Sequence, residues 1–429
     1  MSSTPSDASP LFALADGNNF YVSCERVFEP KVRDVPVVVL SNNDGCIVSR
    51  SNEAKKLGIP MGAPFYRWRS LIVAKGVRVF SSNYPLYGEM SLRMMDTLFS
   101  LTPHMEVYSI DEAFLDVPVG PAEAEGWAEG VRRRVLRDVG IPLSLGVAST
   151  KTLCKVAGRS AKRDSRGVRI LIGQEEIRSA LEATGVEELW GIVRQLSKFL
   201  IGQGILNGEK LRECDDRWVR AHLGLAGLRT VMELRGIPCV QGEEAPMEGR
   251  SVSTSRSFAD PLPDPSALRE AVACFVATAA SKLRENGAMA SGLHLFLTTS
   301  PFRGDYRSQT AFCSLARPSS YTPTLIGAAW RLLESLNPEN LSQVKKAGII
   351  LTDLVEESKT PPRLFGMNAA LERERGLMEA VDRIQKRWGG QAIQTAAEGR
   401  SREWLTRQSR RSPRYTTDWN EIPLVKAKG

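Results

Sequence analysis

Histidine is scarce in this chain, and cysteine forms no metal-binding or disulfide pattern. The 429 residues include three histidines and seven cysteines, and no two cysteines have C-x-x-C spacing. This pattern predicts reduced thiols and argues against a zinc site or a histidine-based catalytic relay. Any metal chemistry must therefore rest on carboxylates, whose oxygen atoms suit magnesium or manganese.

Long apolar runs and a basic N-terminal leader are also lacking. No segment approaches the roughly 20 apolar residues that a membrane-spanning helix needs. The N-terminus, MSSTPSDASP, is polar and has no positively charged region of the kind that begins a secretory signal. We therefore expect a cytoplasmic protein, and its length predicts about three or four domains.

Positive charge is concentrated towards the C-terminus. The formal net charge is +8, and residues 359–429 hold 15 lysines and arginines against 8 aspartates and glutamates. The preceding 358 residues are nearly neutral, with 42 basic and 41 acidic side chains. A basic tail on a neutral body predicts binding to a polyanion, with nucleic acid as the first candidate. The alternative is a solvated tail that is basic for solubility.

Alternating strand and helix patterns predict an α+β architecture. Helix patterns over 86–101 and 122–139 lie on either side of a predicted hairpin. Helices over 266–286 and 323–336 accompany further strand patterns, and a mainly helical segment from about 177 to 240 lies between the two regions. The order of elements favours helices packed on sheets, in more than one domain.

The stretch VYSIDEAFLDV, residues 107–117, places two adjacent acids, Asp111 and Glu112, among alternating apolar residues. Neighbouring side chains of a regular strand point to opposite faces, so the carboxylates converge only if the chain turns there, as at a hairpin tip. Carboxylates held together repel one another unless a proton or a cation separates them. The pair is either a solvent-exposed hairpin tip or half of a metal site.

A third acid, Asp16, ends the apolar strand LFALAD and precedes Gly17. Three carboxylates on adjacent strand ends can hold two divalent cations roughly 4 Å apart, which activate an attacking oxygen and neutralise a transferring phosphoryl group. The segments SRSNEAKK and KVAGRSAK supply cations and hydroxyls for phosphates. Taken alone, Asp16 is also compatible with a helix or turn cap.

Several motifs resemble those of the Y-family translesion DNA polymerases, and most closely the UmuC-type members. They are ADGNNFYVSCE, SNNDGCIVSRSNEAKKLGIPMG, YSIDEAFLDV and SRSFAD, and the tail SPRYTTDWNEIPLV is similar as well. The resemblance implies a multidomain α+β right-hand polymerase. Its implied regions are a ferredoxin-like palm (1–27 and 84–176), small fingers (28–83), a helical, helix-hairpin-helix-like thumb (177–240), an α+β little finger (251–356) and a basic C-terminal region (357–429).

The resemblance also implies roles for individual residues. Asp16, Asp111 and Glu112 match the palm carboxylates that bind two Mg²⁺ ions, with Mn²⁺ as an alternative, and the carbonyl of Gly17 would be a backbone ligand. Tyr21 matches the steric gate that excludes a ribose 2′-hydroxyl; its alternative is a core aromatic. The remaining nucleotide-binding positions are Phe20, which precedes the gate, and the residues that match triphosphate contacts, Ser49, Lys55 and Lys162.

The implied function is error-prone, template-directed DNA synthesis past damaged bases in the SOS response, by two-metal nucleotidyl transfer from a dNTP to a primer 3′ end. The implied partners are primer–template DNA, dNTPs, a UmuD′-like dimer and a RecA-type recombinase. A sliding clamp is a further candidate through Leu364 and Phe365 in PPRLFG, which lacks the glutamine of typical clamp-binding peptides. The alternatives are a catalytically inactive accessory scaffold and a metal-dependent cyclase or nuclease.

Overall fold

The computed structural model describes most of the chain. The described residues are 10–240, 251–262, 265–301, 306–336, 343–359, 368–390, 392–399, 404 and 407–422. They divide into two compact units, of which the first combines the residues up to 240 with residues 408–422 and the second begins at 251 and ends at 407. Leu364 and Phe365, the candidate clamp contacts, lie outside the described residues.

The first unit alternates short strands with helices. Its strands are β1 (Phe12–Gly17), β2 (Val37–Leu40), β3 (Ile47–Arg50), β4 (Arg78–Ser81), β5 (Met105–Val107), β6 (Glu112–Asp116), β7 (Leu143–Ala148) and β8 (Val168–Leu171). Its helices are α1 (Phe20–Phe28), α2 (Asn52–Lys56), α3 (Phe65–Ala74), α4 (Tyr84–Phe99), α5 (Ala124–Val139), α6 (Lys151–Ala161), α7 (Gln174–Glu182), α8 (Arg194–Gly202), α9 (Gly208–Arg212) and α10 (Asp216–Leu234).

A five-stranded sheet in the order β5-β6-β1-β7-β8 is the centre of the first unit. Strand β1 pairs in antiparallel fashion with both β6 and β7. Side chains alternate between the two faces: Ala13 and Ala15 join the core beneath α4 and α5, whereas Leu14 and Phe114 join the core beneath α6. Asp16 lies two residues after Leu14 in β1, so its side chain points to the same face of the sheet, towards α6.

Two smaller assemblies complete the first unit. Strands β3, β2 and β4 form a three-stranded sheet with its own core, and α2 and α3 pack against that core. This sheet lies within residues 28–83, the range predicted as fingers. Helices α8 to α10 lie within residues 177–240, the range predicted as thumb, and α7 begins three residues before that range. The apolar residues of these four helices join those of α6 in one core.

The second unit is a four-stranded antiparallel sheet with helices on one face. Its elements are β9 (Ser251–Leu262), α11 (Pro265–Glu285), β10 (Ala288–Thr298), β11 (Ser308–Ser319), α12 (Thr322–Ser335), β12 (Val344–Glu356) and α13 (Asn368–Trp388). The strand order is β11-β10-β12-β9, and the alternate leucines of β10 pack with α11 and α12 in the core. The sequence SVSTSRS in β9 places every second residue, a serine, on the opposite face.

The region predicted as one C-terminal segment is divided between the two units. Helix α13 belongs to the second unit, and residues 408–422, which we call the strap, belong to the first. The strap forms a parallel bridge between Arg411 and Ser81, the last residue of β4. Among the described residues, no helix is both long enough and apolar enough to cross a membrane.

Helix α6 lies so close to β7 that only glycine fits at position 146. A Cβ atom on Gly146 would lie 2.1 Å from the backbone nitrogen of Gly158 and 2.5 Å from the carbonyl oxygen of Cys154. Both neighbours are helix backbone, so the clash is relieved only if α6 moves away from the sheet. Because the lysines of α6 face the acids at the sheet edge, this close approach also determines the geometry described below.

We predict that Gly146→Ala destabilises the first unit, whereas Gly130→Ala in α5 does not. Nothing lies within 4 Å of a Cβ atom at Gly130. Overpacking against α6 should lower the free energy of unfolding by about 2–4 kcal/mol, and the helical control should raise it by up to ~1 kcal/mol. Urea denaturation followed by circular dichroism measures both. Equal stability of the two variants would contradict the direct contact between helix and sheet.

Candidate active site

Two of the three predicted carboxylates are paired across neighbouring strands. Asp16 near the end of β1 lies directly opposite Glu112, the first residue of β6. Directly paired residues of an antiparallel sheet share a face, so both side chains point towards α6. The third acid lies at the same sheet edge, because the backbone N–H of Gly17 donates to the carbonyl oxygen of Asp111 at 2.8 Å.

The turn expected at the two adjacent acids is present. Strands β5 and β6 pair in antiparallel fashion, and residues 108–111 connect them. The backbone N–H groups of Tyr108 and Ser109 both donate to the carbonyl oxygen of Glu112, and the Ser109 hydroxyl donates to Asp111 Oδ1 at 2.7 Å. The prediction of a hairpin is confirmed, and Ser109 fixes the orientation of the Asp111 carboxylate.

Three lysines follow one face of α6 and its C-terminal end, at positions i, i+4 and i+11. Each pairs with an acid on a different strand of the sheet order β5-β6-β1. These ion pairs are Lys151 with Glu106, Lys155 with Glu112 at 2.7 Å, and Lys162 with Asp16 at 2.6 Å. The helix therefore crosses three strands and supplies one ammonium group to each acid.

Asp16 and Glu112 have divergent proton affinities, because their pKa values shift in opposite directions. Burial, reinforced by the hydrogen bond with Glu112, raises the pKa of Asp16 to about 7. Burial opposes the shift of Glu112, but hydrogen bonds with Asp16 and Lys155 lower its pKa below the usual value. The ammonium groups of Lys155 and Lys162, together with the raised pKa of Asp16, offset the repulsion between the two acids.

The acids offer only oxygen donors, which is the chemistry that Mg²⁺ and Mn²⁺ prefer. Within the described ranges, no group of three Asp, Glu, His or Cys side chains is arranged to hold a metal ion. The reason lies in the contacts above: lysines engage Asp16 and Glu112, and Ser109 engages Asp111. A divalent cation fits this site chemically if it replaces the Lys162 ammonium group at Asp16.

Two of the predicted triphosphate contacts form a positive region beside Asp16. Burial lowers the pKa of Lys55, and the neighbouring charges of Arg50 and Lys162 lower it further. Mutual repulsion of this kind is relieved by an anionic ligand. Ser49 is buried instead against α1, where its hydroxyl donates to the carbonyl of Asn19 and accepts from the N–H of Val22, each at 3.4 Å.

The two predicted aromatic contacts differ in exposure. The Phe20 ring is buried in the core. Tyr21 is half-buried and stacks on Tyr87 with a centroid distance of 4.5 Å and an interplanar angle of 15°. Burial raises the pKa of Tyr21, and the neighbouring Tyr84 and Asp111 raise it further. This placement favours Tyr21 over Phe20 as the nucleotide contact.

Lys155 lies in KVAGRSAK, which the sequence predicts only as a source of cations for phosphates, not as the partner of an acid. Its ammonium group lies 4.2 Å from the centre of the Tyr108 ring and 5.8 Å from the centres of both the Phe114 and Trp190 rings. Such aromatic faces stabilise a partly desolvated cation. The available signal was the four-residue spacing from Lys151, but the aromatic partners come from two distant segments of the chain, the β5–β6 hairpin and residue 190.

Comparison with known proteins identifies the family to which the chain belongs. Family models described as "impB/mucB/samB family" and its C-terminal domain match residues 15–159 and 250–363. The chain belongs to the impB/mucB/samB family. A third model, a domain of unknown function, matches residues 375–425.

Individual relatives cover almost the whole chain. Protein UmuC of Salmonella typhimurium is 37% identical over 97% of this chain and 100% of its own length, and protein SamB of the same organism is 38% identical over the same shares. DNA polymerase IV of Bacillus velezensis is 26% identical over 91% of this chain and 94% of its own length.

A solved structure shares the fold. The Y-family DNA polymerase chimera Dbh-Dpo4(243-245)-Dbh has a TM-score of 0.64 at 20% sequence identity, and the match covers 80% of this chain and 99% of the chimera. The expected resemblance to UmuC-type Y-family polymerases and the expected α+β right-hand fold class are confirmed. The region boundaries and the roles of the individual site residues stay predictions.

A double-mutant cycle tests whether Lys155 and Glu112 interact strongly. Both side chains are largely buried, 18% and 20% exposed, so we expect a coupling free energy of about 1–3 kcal/mol between Lys155→Met and Glu112→Gln. Urea denaturation of the four proteins, without divalent ions, measures it.

The control cycle uses the exposed pair of Arg178 and Glu175, which has the same 2.7 Å separation but is 52% and 77% exposed. Solvent screens that pair, so Arg178→Met and Glu175→Gln should show little or no coupling. Equal coupling in the two cycles would show that burial at the acids does not strengthen the Lys155 pair.

Proposed function

We propose that this chain copies damaged DNA templates in the SOS response, by nucleotidyl transfer at the acids of β1 and β6. Membership of the family and similarity to a named DNA polymerase support the expected enzyme class, a DNA-directed DNA polymerase. The observation that carries the proposal is the convergence of Asp16, Asp111 and Glu112 at one sheet edge. A non-catalytic scaffold does not require acids gathered at one sheet edge, and nothing in the described part of the chain favours that alternative.

Asp16, Asp111 and Glu112, with the carbonyl of Gly17, are the proposed ligands of two Mg²⁺ ions, with Mn²⁺ as a substitute. When bound, such ions supply the charge that favours the ionised primer hydroxyl and neutralises the transferring phosphoryl group. The chain's own contribution is to fix the ligand directions, through the strand pairing of Asp16 with Glu112 and the Ser109–Asp111 hydrogen bond. Preorganised ligands need no rearrangement during the reaction.

The neighbouring residues bind and select the nucleotide. Lys55 and Lys162 are the proposed ligands of the triphosphate, and Lys162 exchanges its bond with Asp16 for this anion. Ser49 supports the same region by joining β3 to the start of α1. The primer 3′-oxygen forms a bond to the α-phosphorus, the bond to the bridging oxygen breaks, and pyrophosphate leaves. Tyr21 is the proposed gate, whose ring occupies the space of a ribose 2′-hydroxyl.

Tolerance of damaged bases follows from the small predicted fingers. A three-stranded sheet with two short helices is all that residues 28–83 contribute to covering a nascent base pair. With few protein contacts to the base pair, discrimination rests mainly on base pairing itself, which lowers fidelity and admits lesions.

The second unit offers a surface that suits a nucleic-acid backbone. The sheet face opposite α11 and α12 displays the alternate serines of β9 and the Lys346 ammonium, which lies 5.6 Å from the centre of the Phe296 ring. Hydroxyl and ammonium groups bind phosphate oxygens without reading sequence. We propose that this face, with the basic C-terminal region, holds primer–template DNA, so binding weakens as salt rises.

Three further partners belong to the proposal. A UmuD′-like dimer and a RecA-type recombinase are proposed from the motifs that resemble those of UmuC-type polymerases. A sliding clamp would bind through Leu364 and Phe365. Competition of a 359–368 peptide for the clamp is the direct test of that contact.

Primer extension should separate Asp111 from Asp116, two aspartates of the same hairpin. Asp116 at the far end of β6 is partly exposed, and the His104 imidazole lies 3.9 Å from its carboxylate. We expect Asp111→Asn to reduce extension on undamaged and abasic templates by at least about 100-fold, and Asp116→Asn to change it by no more than about twofold. Both proteins are assayed with Mg²⁺, with and without the UmuD′-type partner and activated recombinase.

DNA binding provides the control, because both variants should bind a labelled primer–template as the wild type does in an anisotropy titration. If Asp111→Asn extends primers at the wild-type rate, the carboxylates are not the catalytic centre. If neither variant nor the wild type extends a primer while all three bind DNA, the chain is an accessory protein.

A further inference from the structure

One face of α1 connects the proposed gate to the strap. Tyr21, Glu25 and Phe28 occupy positions i, i+4 and i+7, so they lie along the same side of the helix. Tyr87 of α4 lies over this side: its ring stacks on Tyr21, and its hydroxyl donates to Glu25 Oε1 at 2.6 Å. Because Tyr87 is fully buried, its ring position is fixed by these contacts.

The strap supplies the second hydrogen bond to the same carboxylate oxygen. The Ser412 hydroxyl donates to Glu25 Oε1 at 2.9 Å, although 387 residues separate the two in sequence. Glu25 Oε2 is buried without a hydrogen-bond partner among the described residues. Tyr87 and Ser412 are therefore the side chains that hold the Glu25 carboxylate, and loss of either leaves it with one donor.

Several other contacts hold Ser412 in place. The Asn83 amide donates to the Ser412 hydroxyl at 2.9 Å and to its carbonyl oxygen at 3.0 Å. The backbone N–H of Ser81 donates to the Arg410 carbonyl at 3.0 Å, so the strap pairs with β4 at the edge of the three-stranded sheet. A paired edge is protected from other strands. Tyr415 stacks on Phe28 with a centroid distance of 4.8 Å.

We propose that the strap is a positioning element for the sugar gate. It acts through a series of side-chain contacts that runs from Ser412 to Glu25, then to Tyr87 and finally to Tyr21. The proposal rests on the proposed function of Tyr21 as the gate. It gives a role to part of the segment matched by a domain of unknown function. A gate excludes a 2′-hydroxyl only if its ring cannot retreat, and the buried Tyr87 ring, held by the strap, is the surface that stops the retreat.

The test is the ratio of kcat/KM for a dNTP to kcat/KM for the matching NTP, measured by primer extension with the full chain and its partners. Loss of one anchoring hydrogen bond in Ser412→Ala should lower this ratio by about 3- to 10-fold, and Tyr87→Phe should act in the same direction. Ser412→Thr retains the hydroxyl and should retain the ratio. The ratio compares two substrates in one preparation, so a general loss of folded protein does not move it.

A matched control lies three residues away in the strap. The Ser409 hydroxyl donates to Asp44 at 3.1 Å, whereas Glu25 is held by Tyr87 and Ser412, so Ser409→Ala should leave the ratio unchanged. Tyr21→Ala should lower the ratio more than any strap variant. In that background, Ser412→Ala should have no further effect, because the ring that it positions is gone.

The outcomes separate this proposal from the one on which it rests. If Tyr21→Ala leaves the ratio unchanged, the gate assignment is wrong and the positioning role is overturned with it. If Tyr21→Ala lowers the ratio but Ser412→Ala and Tyr87→Phe do not, the gate stands and the strap proposal is wrong. An equal loss from Ser409→Ala would also overturn it, because the effect would then reflect strap docking in general.

Discussion

The strand pairing of Asp16 with Glu112 is the constraint on which the rest of the site depends. An antiparallel register places the two carboxylates side by side on one buried face, where their repulsion must be offset. In the protein itself, the offset comes from the raised pKa of Asp16 and from the ammonium groups of Lys155 and Lys162. Those lysines reach the acids because Gly146 lets α6 lie directly on β7. The register of β1 and β6, the close packing of α6 on β7 and the lysine–acid pairs therefore depend on one another.

The same arrangement explains how the site could accept substrate. Ammonium groups bound to the acids in the free protein are also suitable partners for a triphosphate, so an incoming nucleotide and its cations replace one set of charge pairs with another. Lys162 is about half exposed and can exchange its bond with Asp16 for one with the triphosphate. Lys155 is largely buried and stays paired with Glu112. The two lysines thus have different proposed roles: one binds the ligand and the other preserves the geometry.

Local patterns in the sequence were sufficient to predict the helices and the turn that carries the adjacent acids. The helix predicted over 86–101 is α4, Tyr84–Phe99, and the helix predicted over 266–286 is α11, Pro265–Glu285. The turn at Asp111 was predictable because adjacent acids in an apolar strand are costly unless the chain turns. Both the apolar periodicity of a helix and the free-energy cost of acids in an apolar strand can be recognised within a short segment.

The partners of these elements were not predictable in the same way. The three lysine–acid pairs depend on the angle at which α6 crosses the sheet, and that angle is set by packing rather than by spacing along the helix. The strap was predicted only as part of a basic tail, yet its Ser412 reaches a buried acid 387 residues away. Contacts of this separation leave no periodic pattern in either segment.

The most direct test of the account is a count of the divalent ions that the acids bind. Electron paramagnetic resonance of Mn²⁺, titrated into the full chain with a chain-terminated primer–template and the next dNTP, measures this number without turnover. The account predicts two tightly bound ions per wild-type chain and fewer in Asp16→Asn. Equal numbers in both proteins would contradict it, because the paired carboxylates would then not be the ligands.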